Sequence, residues 1–330
     1  MARLNLTLAC WDYDRTRALA DGSVTADGID LNYLSLPVEE TFFRMLRYRE
    51  FDVAEMSMSS YCVTLMRDPR PFVAIPVFPS RMFRHSSIYV STAARIAKPA
   101  DLAGKRVASP EYQMTAPVWI RGILQDEYGV AVDGVTHVTG GEEEPNRDEK
   151  VKLSLPPRIR LERIGPDQTL SSMLATGEVA ALFTARMPST YRTRPNDVRR
   201  LFEDYVPIEK DYYRRTSIFP IMHVIALRRE VYDAHPWAAA SLYKAFCAAQ
   251  RACYASLDTT AALKAMLPWL TAHLEEARAL MGEDYWSYGF HANRHVLETF
   301  LRYHHEQGLS SRLLKPEEMF APETLEQFRI

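Results

Sequence analysis

Short strand-like runs alternate with segments of helical spacing along this chain, and that alternation limits the fold more than any other feature. LNLTLA (4–9) alternates apolar and polar residues, and IDLNYLSL (29–36) places Ile29, Leu31 and Tyr33 on one face. EETFFRMLRY (39–48) has helical spacing. FDVAEMS (51–57) reads as a strand, SSYCVTLM (59–66) as a helix and FVAIPVF (72–78) as a buried strand. Strands separated by helices imply βαβ units and a largely parallel sheet.

A second unit of the same kind starts near residue 90. A short strand ends ADLAGKRVAS (100–109). The helix TAPVWIRGILQDEYG (115–129) follows, with Thr115 as its expected N-cap and Gly129 as its expected end. VTHVT (135–139) and VAALFTA (179–185) read as strands around the helix TLSSMLATG (169–177). IFPIMHVIALR (218–228) is the longest apolar strand-like run, and the chain turns helical after it. The Asn293 side chain is expected to cap a helix over 293–308. The fold class predicted is α/β, a two-lobed clamshell with a helical C-terminal extension. Residues 1–88 and 222–330 form one lobe, 89–221 form the other, and the site lies in the cleft between them. In such a fold, ligands bind at the carboxyl ends of strands and at helix N-termini.

The net charge of about −2 argues against a general nucleic-acid binder. Cys10, Cys62, Cys247 and Cys253 are scattered with no C-x-x-C, which reads as a reduced, cytoplasmic protein. MARLNLTLACWDYD is too interrupted for a secretion signal, and no apolar run reaches the ~20 residues of a membrane helix. His291 and His295 stand four apart without H-E-x-x-H, so no metal site is assigned. One local concentration of positive charge needs an explanation. FPSRMFRHSS (78–87) packs Arg81, Arg84 and His85 between two strand-like runs, as a solvated turn or as an anion pocket.

Longer segments carry a resemblance. LACWDYDRTRAL (8–19), EETFFRMLRYREFDVAEMS (39–57), AIPVFPSRMFRHS (74–86), PEYQMTAPVWIRGILQDEYGV (110–130) and TGGEEEPNRDEK (139–150) occur in order. YYRRTSIFPIMH (212–223), ALMGEDYW (279–286) and NRHVLETFLRYHHEQGL (293–309) follow. Together they resemble the 4,5-dihydroxyphthalate decarboxylase family, on the type II periplasmic-binding-protein fold. The family pattern has Gly at position 217, where this chain has Ser217. The resemblance implies a cytoplasmic enzyme of phthalate breakdown that yields 3,4-dihydroxybenzoate and carbon dioxide. Its partner would be a small aromatic dicarboxylate, with no nucleic acid or membrane involved, and a homo-oligomer is expected. An aromatic-acid binding protein and another cytosolic lyase on the same fold are the rival readings.

That chemistry asks for cationic clamps, a proton donor and a group that raises electron density on the phenol. It asks for no redox cofactor, and a divalent metal is optional. Arg81, Arg84 and Arg186 are the candidate carboxylate clamps, because a guanidinium fork matches both carboxylate oxygens. On an extended strand, Arg81 and Arg84 would point to opposite faces. His85 and His223 are the candidate proton donors, since imidazole titrates near neutrality and a nearby carboxylate would keep it protonated. Asp12 or Asp14 could take a phenolic proton or cap a helix. Ser57, Ser59 and Ser60 follow one strand. Tyr112, Gln113 and Thr115 follow another, with ligand binding or helix capping open for each set. Glu143 is the chosen member of the acidic run GGEEEP (140–145), either solvated, ordering an Arg or binding a divalent cation.

Overall fold

In this computed structural model, which describes residues 3–147 and 150–326, the first strands along the chain are β1 (Leu4–Cys10), β2 (Ile29–Ser35), β3 (Val53–Ser57) and β4 (Phe72–Ile75). Then come β5 (Ile88–Ser91), β6 (Arg106–Ser109), β7 (Thr136–Thr139), β8 (Arg160–Arg163), β9 (Ala181–Phe183), β10 (Val198–Arg200) and β11 (His223–Arg228). They make two sheets, in the orders β2-β1-β3-β11-β4 and β10-β5-β9-β6-β7-β8. The chain divides into two compact units. Residues 1–81, 221–297 and 315–330 form the first, and 82–220 and 298–314 form the second.

In the first unit, β1 runs parallel to β2 and β3, while β11 runs antiparallel to both β3 and β4. The sheet is therefore mixed rather than parallel throughout. Pro220 explains why the long run 218–228 enters the sheet only at His223: proline has no N–H to give a ladder. Every residue of β3 is buried, as suits a central strand. Val53, Ala54 and Met56 join Leu8, Ile225 and Leu227 in the core. The helix Val38–Tyr48 buries Phe42 and Met45 and packs on β3.

In the second unit, β6, β7, β8 and β9 pair in parallel, and β5 pairs antiparallel with β9 and β10. The helix Thr115–Tyr128 begins one residue earlier than expected, with Met114 rather than Thr115 as the cap, and ends on Gly129 at φ 69°. Gly122 in this helix permits a close approach. A Cβ there would stand 2.1 Å from the Tyr303 ring, and the Trp119 and Phe300 rings lie 5.3 Å apart beside it. This packing draws residues 298–314 into the second unit, where the sequence reading had kept all of 222–330 in the first. The helix over 293–308 starts earlier than expected, at Phe290. Asn293 lies inside it, buried, with its amide donating back to the carbonyls of Ser287 (3.1 Å) and Gly289 (2.8 Å). Among the described residues no helix is long and apolar enough to cross a membrane.

Candidate active site

The register of β3 and β11 builds a site in the first unit. Ile225 lies opposite Glu55 and His223 opposite Ser57, so all four side chains share one face of the sheet. Glu55 and His223 are diagonal neighbours on that face, and Glu55 Oε1 meets His223 Nδ1 at 2.6 Å. The same oxygen accepts the Tyr13 hydroxyl at 2.6 Å. Oε2 accepts the Trp11 backbone N–H at 3.0 Å and the Cys10 thiol at 3.6 Å. The carboxyl ends of β1 and β3 and the first residue of β11 thus converge on one carboxylate.

Glu55 has no exposed surface. Burial alone would raise its carboxyl and is the largest single influence, while the charge of His223 beside it acts the other way. With the hydrogen bonds from His223, Tyr13 and Trp11, the carboxyl is held below its ordinary value. An ionised carboxylate only accepts hydrogen bonds, so Nδ1 carries a proton. The His223 side chain is 16 % exposed, and Nε2 has no hydrogen-bond partner among the described residues. The Phe42 ring packs edge-on against the imidazole at 4.8 Å. The result is an imidazole oriented through one nitrogen, with the other left for chemistry. Cys10 is no nucleophile here, because burial and then Glu55 push its thiol well above the ordinary value.

In the second unit, polar groups gather after β6, β7 and β9. Buried Glu111 accepts from Gln113 (2.7 Å) and Arg147 (2.9 Å) and pairs with Lys150. Burial would raise its carboxyl, but Lys150 and Arg147 reverse the direction and hold it low. Glu142 accepts the Thr184 hydroxyl at 2.6 Å, and Glu143 accepts the Ser189 backbone N–H (2.7 Å) and hydroxyl (2.6 Å). A cavity of about 340 Å³ opens nearby, lined by Gly140, Gly141, Arg147 and Arg163 among others.

No family model matches the chain. It is 44 % identical to a 4,5-dihydroxyphthalate decarboxylase of Comamonas testosteroni over 330 residues, 100 % of both chains. The chain belongs to the 4,5-dihydroxyphthalate decarboxylase family. A relative of the same name from Pseudomonas putida is 43 % identical over 217 residues, 66 % of this chain and 84 % of the relative. Solved structures show what fold this decarboxylase-family chain adopts. The sulfonate-binding protein SsuA of Methylobacillus flagellatus matches with a TM-score of 0.56 at 12 % identity, over 98 % of this chain and 93 % of that one. The aliphatic sulphonate-binding protein SsuA of Escherichia coli matches with a TM-score of 0.53 at 12 % identity, over 98 % and 99 %. The fold is that of periplasmic binding proteins, as expected.

The expected site residues of this family member scatter. His85 is 1 % exposed, and burial followed by the charge of Arg215 lowers it to about 4, so it is neutral near pH 7 and unsuited to donate as an imidazolium. Arg81 is buried, donates from Nη2 to Ser287 O (2.7 Å) and Asn293 Oδ1 and stacks on Phe78, all in the first unit. Arg84 is buried in the second unit, where burial lowers it to about 10 although Glu209 opposes that. Within the stretch 78–87, Arg81, Arg84 and His85 are thus buried rather than set on a solvated turn, although Met82 between them is exposed. Asp12 is exposed and paired with Arg17 at 2.8 Å. Tyr112 is buried with its hydroxyl on Gln307 O (3.0 Å), and Gln113 is engaged by Glu111. Ser59 and Thr115 are buried in the first turns of their helices. Ser57 ends β3 on the face of His223, and Arg186 lies exposed just after β9. Among the described residues no three His, Cys, Asp or Glu side chains cluster as metal ligands would.

Of the named candidates, the structure brings His223 and Ser57 together. The sequence reading missed Glu55, although a signal was present. A carboxylate inside a short, otherwise apolar strand is buried only with partners, and such groups mark functional sites. Tyr13 was missed because only the fold sets its hydroxyl against Glu55, 42 residues away.

Proposed function

We propose that the protein decarboxylates 4,5-dihydroxyphthalate to 3,4-dihydroxybenzoate, and that His223 protonates the ring carbon that loses its carboxylate. The substrate hydroxyl para to the departing group, as a phenolate, pushes electron density onto that carbon. His223 Nε2–H gives its proton there and a C–H bond forms. The C–C bond then breaks, its electron pair returns to the ring, and carbon dioxide leaves. One proton enters, one carbon dioxide departs, and solvent reprotonates the imidazole. The reaction is redox-neutral, so its electrons balance without a redox cofactor. Glu55 stabilises the imidazolium that the step needs.

The observation that supports this reading is the 2.6 Å Glu55–His223 contact with Nε2 left unbonded, in a chain of this family. Purified protein incubated with 4,5-dihydroxyphthalate should release carbon dioxide and 3,4-dihydroxybenzoate without NAD, flavin or ATP. No release, with and without added divalent metal, would refute the proposal.

A substrate contact is proposed for the Ser57 hydroxyl, and carboxylate binding for the exposed Arg186. Arg186→Gln should raise KM about tenfold with little change in kcat, the loss of one charge-assisted hydrogen bond. Proposed too are a cytoplasmic location and a homo-oligomer. The exposed apolar side chains Leu263, Met266, Leu267 and Trp269 are candidates for its contact, and sedimentation of wild type against Trp269→Ser tests that.

A further inference from the structure

We infer that Tyr13 is a positioning residue that loosens His223's hold on its proton, by sharing the Glu55 oxygen on which the imidazole rests. The inference depends on the proposed role of His223 only for its consequence in turnover. Its basis is geometric. Glu55 Oε1 takes two donors, the Tyr13 hydroxyl and His223 Nδ1, each at 2.6 Å. The two donor atoms are 3.5 Å apart, so they converge on the same oxygen from adjacent directions. Oε2 is already taken by the Trp11 N–H, with the Cys10 thiol farther off. Negative charge drawn into the phenol's hydrogen bond is not available to the imidazolium.

Tyr13 is suited to this task in two respects. Its ring is held in place: the Arg15 guanidinium lies over it at 4.1 Å and also over the Trp286 ring at 4.1 Å. Arg15 is itself fixed by its Nε bond to Pro79 O, 2.6 Å. The phenol also stays a donor at every working pH, because burial and then Glu55 push its ionisation far above the ordinary value. The titratable or charged groups packed around the pair are Cys10 on β1, Tyr13 and Arg15 after it, and Tyr33 on β2. From the helix Val38–Tyr48 the Phe42 ring meets the imidazole. A general acid has to surrender its proton, and an unshared buried carboxylate would hold the imidazolium too tightly for that. Tyr13 moderates the grip.

The test is nitrogen-15 NMR of the His223 imidazole, identified by its absence in His223→Gln, across a pH titration of wild type and Tyr13→Phe. Loss of the phenol should make His223 hold its proton about tenfold more tightly, moving its titration up by about one pH unit. The kcat at neutral pH should fall about tenfold with KM nearly unchanged. An unmoved or downward-moved titration would overturn the inference. The wild-type protein offers a second readout that needs no variant to fold. The Tyr13 Cζ resonance should move in step with the His223 titration, and a flat Cζ resonance would also overturn the inference. A shifted titration with unchanged turnover would uphold the Tyr13 link while counting against His223 as the donor.

Discussion

His223 in the first unit and His85 in the second both lie against aromatic rings, yet their surroundings act in opposite directions. His223 faces a carboxylate through Nδ1 and keeps an exposed edge. His85 is enclosed by the rings of Phe202 at 5.4 Å and Tyr212 at 5.2 Å, and neither of its nitrogens has a hydrogen-bond partner among the described residues. Burial disfavours its charged form, and the positive charge of Arg215 adds to that. Positive neighbours along the sequence made 78–87 look like a substrate site, but cations near an imidazole oppose its protonation. His223 has instead a buried carboxylate on the next strand as its neighbour.

The largest effect should separate the two residues outright. His223→Gln should lower kcat by about 10²- to 10⁴-fold at saturating substrate, the usual scale of general acid catalysis. His85→Gln should leave kcat within about threefold, and a larger loss there would undo the contrast. The next effect is on stability. His85 is neutral in the fold at about 4 but titrates at 6.5 once unfolded, so the unfolded chain binds more protons between those values. Stability is then greatest above pH 6.5 and falls as pH drops through that window, by about 2 kcal/mol between pH 6.5 and 5. Glu55 acts in a separate range: its carboxyl lies below the ordinary 4.5, so the stability it contributes is lost only at lower pH. Urea unfolding of His85→Leu should show a flatter dependence between pH 6.5 and 5 than wild type. An unchanged slope would mean that His85 is charged in the fold. The smallest effect concerns Ser217, which ends the helix Tyr205–Thr216 in the left-handed region at φ 54°. Ser217→Gly should raise stability by about 1 kcal/mol and leave kcat unchanged, measured by urea unfolding and carbon dioxide release. A change in kcat would bring the second unit's backbone into turnover.

Much of the fold was legible because strand and helix periods differ and because Gly129 and Gly177 end helices where glycine should. Antiparallel β11 was not legible, since a short apolar run carries no sign of its direction. Nor was the packing of residues 298–314 on the helix Thr115–Tyr128, which depends on Gly122 leaving room for Tyr303. At the site, His223 was named because imidazole suits the chemistry. Its choice over His85 needed Glu55, 168 residues away in sequence, and only strand register brings the two together. Arg81 was named for its fork, and the Asn293 amide that accepts from its Nη2 had been read as a helix cap.

Chemical rescue tests the account most directly. His223→Gly removes the proposed donor and leaves space beside Glu55 for a free imidazole. Added imidazole should restore carbon dioxide release from 4,5-dihydroxyphthalate in His223→Gly, in proportion to its protonated fraction, and should have no effect on His85→Gly. A His223→Gly variant that turns over like wild type without imidazole would contradict the claim that His223 delivers the proton.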